Sequence, residues 1–89
     1  SHPVWRRDVD GTEHAVWMAA GAKGGIYVAV FNLGEKDSMI SVPLADMELD
    51  GTFKGKELWS GEAVEVKDAL KVSLSSHGAK AYFLKGMNL

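Results

Sequence analysis

The sequence predicts an all-β fold: an antiparallel two-sheet β-sandwich of about seven or eight short strands with Greek-key connections. Three observations carry this reading. Apolar and polar residues alternate with a period of two over several segments, two further segments are apolar on both faces, and Gly- and Asp-containing turn signals recur at short intervals. Alternation of this kind is what a strand with one buried and one wet face requires.

Taken in chain order, Ala15-Val16-Trp17-Met18-Ala19-Ala20 is apolar on both faces and too short for a helix, so its length assigns it to a strand. Ile26-Tyr27-Val28-Ala29-Val30-Phe31 is also apolar throughout. Gly24-Gly25 precedes it and Asn32-Leu33-Gly34 follows it, which frames a buried strand between turns. Ser38 to Leu44 alternates with Ile40, Val42 and Leu44 inward, and Pro43 marks an edge or a strand end. Ala45 to Leu49 offers one helical turn, too short to stand as a helix. Val64 and Val66 alternate with Glu65 and Lys67. Leu70, Val72 and Leu74 then alternate with Lys71, Ser73 and Ser75, and near the end Ala79, Ala81 and Phe83 alternate with Lys80, Tyr82 and Leu84. The expected core is Val30 or Phe31 with Ile40, Val42, Phe53, Leu58, Val64, Val66, Leu70, Val72, Leu74 and Phe83. Asp10-Gly11, Gly24-Gly25, Asp50-Gly51, Ser60-Gly61, Lys67-Asp68 and His77-Gly78 are turn dipeptides, several able to supply the positive φ of tight hairpins. Ser1-His2 reads as a remnant of an engineered terminus.

Composition narrows the function. The chain has 89 residues, 46% hydrophobic and 25% charged, which suits one small domain with one modest core. Its formal charge of −2 gives no basic footprint for nucleic acid. Cysteine is absent, which removes disulfides, thiolate metal sites and a cysteine nucleophile, and which fits a bacterial origin. No apolar run approaches the roughly 18 residues of a membrane span, so no membrane partner is expected.

Residues able to carry chemistry are few. His2, His14 and His77 share no short ligand spacing, so neither a metal nor another cofactor is expected. Asp8 and Asp10 would share a strand face as paired carboxylates, but Asp10-Gly11 reads more simply as a turn, and Glu62 and Glu65 as a solvated face. No nucleophile elbow, P-loop or dinucleotide fingerprint is present. Trp5, Trp17, Tyr27, Trp59 and Tyr82 could form an aromatic platform for sugar rings, with Trp5 and Trp59 the candidate carbohydrate contacts. The alternative places Trp17 and Phe31 in the core and Trp59 as a cap on one end of the sandwich. The two segments apolar on both faces need a cover for their outer side, either a loop or another domain.

Several segments together carry a family resemblance. Val16-Trp17-Met18-Ala19, Gly25 to Leu33, Glu57-Leu58-Trp59-Ser60-Gly61 and His77-Gly78-Ala79 with a final apolar strand follow in order. They resemble the C-terminal antiparallel β-sandwich of α-galactosidase-like enzymes, glycoside hydrolase family 27. Tyr27 to Asn32 matches the family's "yvAlFN" strand and His77 to Leu84 its closing element. Glu57 to Gly61 matches "DLWtG", with Glu57 in place of the usual Asp. The resemblance runs from about Trp5 to Leu84. It implies a parent whose N-terminal (β/α)8 barrel holds both catalytic aspartates and performs retaining hydrolysis of α-galactosides. Such a barrel needs about 250 residues, so it lies outside this chain, and no family catalytic residue maps onto any position here. The implied role is an inactive accessory domain whose partner is its own catalytic barrel. An autonomous carbohydrate-binding module is the competing expectation.

Overall fold

A computed structural model describes residues 2–9, 12–21 and 24–86, with the side chains among them other than those of His2, Pro3, Trp5 and Val9. Among the described residues eight strands follow one another: β1 (His2–Val9), β2 (Thr12–Ala20), β3 (Ile26–Asn32), β4 (Ser38–Pro43), β5 (Thr52–Glu57), β6 (Ala63–Lys67), β7 (Ala69–Leu74) and β8 (Ala79–Gly86). A 3-10 turn spans Leu44–Met47, between β4 and β5. Every ladder is antiparallel, in the order β1-β2-β3-β8-β5-β6-β7-β4.

The two layers arise at one corner. β6 and β7 pair at Lys67 and Ala69 alone among the described residues, around Asp68 in the left-handed region at φ 59°. There the ladder folds over, leaving six strands (β1-β2-β3-β8-β5-β6) in one layer and β7-β4 in the other. β5, β6 and β7 run consecutively and β8 returns beside β5, which is the Greek-key order. The expected all-β antiparallel sandwich is the fold observed.

Period two decides what is buried. Val16, Val28, Val30, Tyr82 and Leu84 project from the large layer onto Ile40, Val42, Leu70, Val72 and Leu74 of the small one, while Leu44 and Met47 of the 3-10 turn complete the cluster. Gly55 allows the β5–β8 pairing, because a Cβ there would overlap the Phe83 carbonyl oxygen.

Four core expectations change. Leu58 is 41% exposed, because β5 ends at Glu57 and the alternation ends with it. Phe53 and Val64 pack against the cluster but are only partly buried. Phe83 lies on the outer face. β8 carries a large residue on each side, and the pairing of Tyr82 with Val28 and of Leu84 with Ile26 turns those two inward and Phe83 out. Leu44 is buried as expected, although from the 3-10 turn and not from a strand.

Candidate docking face

The outer face of the large layer is apolar at its centre. Register places Trp17, Ala29 and Ala81 side by side across β2, β3 and β8, and Ala19, Tyr27 and Phe83 in the next row. Trp17 and Tyr27 are each 43% exposed, high for rings of that size in mid-sheet. The Tyr27 and Phe83 rings meet at 5.0 Å between centroids, tilted by 54°. Phe83 also covers the β2–β3 connection, where a Cβ on Gly25 would run into its ring. Small alanines between large rings leave a shallow depression of about 190 Å³, bounded by Trp17, Ala19, Tyr27, Ala29 and Ala81. The rings stand up around an alanine floor, a relief able to receive side chains from another surface.

Charges flank this centre. On the β1 side, Arg6 and Glu13 form a paired hydrogen bond and ion pair across the ladder, and the guanidinium holds the Glu13 carboxyl below its ordinary value. On the β5–β6 side, Lys54 lies opposite Lys85, Lys56 opposite Phe83, and Glu65 reaches Lys54 at 3.7 Å.

The motif residues hold loops in place. Glu57 is 6% exposed, and its carboxylate accepts hydrogen bonds from the backbone N–H of Trp59 (3.1 Å) and of Ser60 (2.8 Å). Burial works against the Glu57 charge, but these donors outweigh it and hold the carboxyl below its ordinary value of 4.5. Gly61, at φ 74°, closes the same turn. Asn32, 1% exposed, donates from Nδ2 to the Lys36 carbonyl (2.8 Å) and the Ser75 carbonyl (3.2 Å), and its Oδ1 accepts from Gly34 N–H (2.9 Å). It thereby ties the β3–β4 loop to the β7–β8 loop, where His77 takes φ 55° and donates its N–H to the Gly34 carbonyl.

The remaining candidates scatter. The Trp5 side chain lies outside the described residues, although its backbone pairs with Val16 on edge strand β1. Trp59 is 68% exposed in the β5–β6 turn. Four strand spacings separate β1, which carries Trp5, from β5, which leads into the turn that holds Trp59. Trp17, weighed as core, faces outward. Tyr82, weighed as part of a platform, faces inward, and its hydroxyl pKa is raised by burial and then by the charges of Glu57 and Glu62. Asp8 is exposed opposite Glu13, and Asp10 lies outside the described residues. Glu62 lies just before β6 and Glu65 within it, and both are exposed. His14 is buried and not at an edge, with Nε2 at 2.9 Å from Ser38 Oγ. Among the described residues no three His, Asp or Glu side chains gather as a metal site would need. A larger groove of about 580 Å³ opens where β6 and β7 diverge, between Glu62, Glu65 and Lys67 on one rim and Lys71 and Ser73 on the other.

Comparison with known proteins decides the family. Residues 11–84 match the model of the alpha galactosidase C-terminal beta sandwich domain. The chain belongs to that family. Its sandwich is similar to part of a β-L-arabinopyranosidase of glycoside hydrolase family 27 from Geobacillus stearothermophilus, at 33% identity and a TM-score of 0.84. The likeness covers 98% of this chain and 20% of that one. The probable alpha-galactosidase A of Aspergillus flavus is 30% identical over 63 residues, which is 68% of this chain and 12% of that protein. An alpha-galactosidase from Saccharomyces cerevisiae shares the fold, with a TM-score of 0.78 at 16% identity over 96% of this chain and 32% of its own. This alpha-galactosidase-type sandwich therefore spans about an eighth to a third of these relatives, which come from both a bacterium and fungi.

Proposed function

We propose that this sandwich is the non-catalytic accessory domain of a glycosidase and that the outer face of its large layer packs on the catalytic (β/α)8 barrel of the same polypeptide. The carrying observation is the outward pair Trp17 and Tyr27 over an alanine floor, in a family whose members continue well beyond the length of this domain. Contacts between domains of one chain bury about 600–1,500 Å² in total, and a face of three central strands is large enough to supply one side. The parent activity that fits the family is retaining hydrolysis of a glycosidic bond by two barrel carboxylates. Within the sandwich, the side chains stabilise turns and core, and the domain's contribution is a fixed apolar platform beneath the barrel.

Hydroxyl-radical labelling of Trp17 and Tyr27 tests this, with and without the upstream barrel. Docking predicts that both rings are labelled more slowly in the longer chain. Equal labelling in the two chains would remove the reading. Should labelling be equal and Trp59 fluorescence respond to an added α-galactoside, the carbohydrate-binding alternative would take its place.

A further inference from the structure

The outer face is divided in charge as well as in polarity, and this points to how its partner is oriented. Register places Lys54, Lys56 and Lys67 of β5 and β6, together with Lys85 of β8, on the outer side of the large layer. Glu65 is the one carboxylate among them. All four lysines are exposed, and among the described residues neither Lys56 nor Lys85 has an ion-pair partner. Lys54 and Lys85 stand directly opposite each other across the ladder, an arrangement of like charges that weakens an isolated sheet. On the other flank, Arg6 stands with Glu13 and Asp8, so among the described residues the cationic excess of this face lies on one side. The chain as a whole is acidic at −2, which makes a cationic strip beside an apolar centre a local feature and not a reflection of composition.

We infer that the barrel surface covering this face carries an acidic strip opposite Lys54, Lys56 and Lys85, beside an apolar area that receives Trp17, Tyr27 and Phe83. This rests on the docking reading above and adds its polarity. Apolar contact is non-directional and fits a flat sheet in either orientation, whereas one cationic flank permits only the orientation that meets carboxylates. The lysines thus orient the docked domain, and the rings supply its contact area. Charge pairs at such a rim fix register more than they add strength, whereas opposing like charges there are costly.

The test uses the sandwich joined to its upstream barrel. Carbodiimide cross-linking should join the Nζ of Lys56 or Lys85 to barrel Asp or Glu side chains through amide bonds, located by mass spectrometry. Lys56→Glu with Lys85→Glu should raise hydroxyl-radical labelling of Trp17 and Tyr27 by about tenfold, toward that of the isolated sandwich. Lys56→Gln with Lys85→Gln should give a smaller rise and flatten the dependence of labelling on salt between about 0.05 and 0.5 M. Near-UV circular dichroism of the isolated sandwich checks that each variant folds, and if the Glu variant does not, the Gln variant decides. Protection unchanged in the charge-reversed chain, or cross-links that avoid the lysines, would overturn the acidic strip while leaving docking intact. No protection of Trp17 in the wild-type chain would overturn both.

Discussion

Glu57 shows how one carboxylate serves a turn. Its pKa is depressed, so the stability it contributes is fully present above the ordinary glutamate value of 4.5 and is lost as pH falls through the folded value. Glu57→Gln should therefore flatten the acid limb of a urea-midpoint profile between about pH 5 and pH 3 relative to the wild type. Glu13, depressed in the same direction by Arg6, remains in both proteins and contributes to the residual slope. Asn32 is the second such residue. Asn32→Leu should cost about 1–3 kcal/mol in urea, because Gly34 N–H and the carbonyls of Lys36 and Ser75 each lose a partner. Gly55→Ala should cost a similar or larger amount, about 1–3 kcal/mol or more, by pressing a methyl group on the β8 backbone.

Among the elements, β7 is the most legible, and its apolar residues belong to the core. Leu70, Val72 and Leu74 alternate with polar residues, all three are buried, and Val72 faces Ile40 across the β4–β7 ladder. Leu74→Ala should cost about 2–4 kcal/mol through lost burial and a residual cavity, whereas Leu58→Ala, on an exposed turn, should stay within about 0.5 kcal/mol. Urea titration of the two variants separates them. β1 and β5 were hidden in the sequence for definable reasons. β5 reads Thr-Phe-Lys-Gly-Lys-Glu, with one large apolar residue and a mid-strand glycine, and β1 carries Arg6-Arg7-Asp8 in its second half. Both are strands because neighbours pair with them, and Arg7 is further tied by an ion pair at 3.2 Å to Asp46 of the 3-10 turn. Pairing partners of this kind leave no periodic trace in the strand itself.

For the molecule as a whole, the uncovered outer face has a consequence in solution. With that apolar face open to water, the 89-residue chain should self-associate with rising concentration, and Trp17→Ser with Tyr27→Ser should suppress that association in sedimentation velocity. A wild type that remains monomeric at millimolar concentration would show the patch to be tolerated by water. The isolated chain is also expected to leave a chromogenic α-galactoside intact, since retaining hydrolysis needs two carboxyl groups held about 5–5.5 Å apart across the scissile bond. Chromophore release that survives repurification and disappears in Asp8→Asn would contradict this.

The all-β class, the turns and most of the inward residues follow from local chemistry, because a period of two and the positive φ of Gly and Asp are properties of neighbouring residues. The surplus of apolar side chains on β2 and β3 was equally local, and it announced a second apolar face without saying which residues would lie on it. That choice belongs to register. Pairing between β3 and β8 sends Tyr82 and Leu84 into the core and Phe83 to the outside, although the alternation permits either. The row of Trp17, Ala29 and Ala81 and the lysine flank beside it are likewise set by which strands become neighbours. Strand order brings together residues dozens of positions apart, and hydrophobic burial selects that order for the chain as a whole, so these features arise only once the two layers have closed.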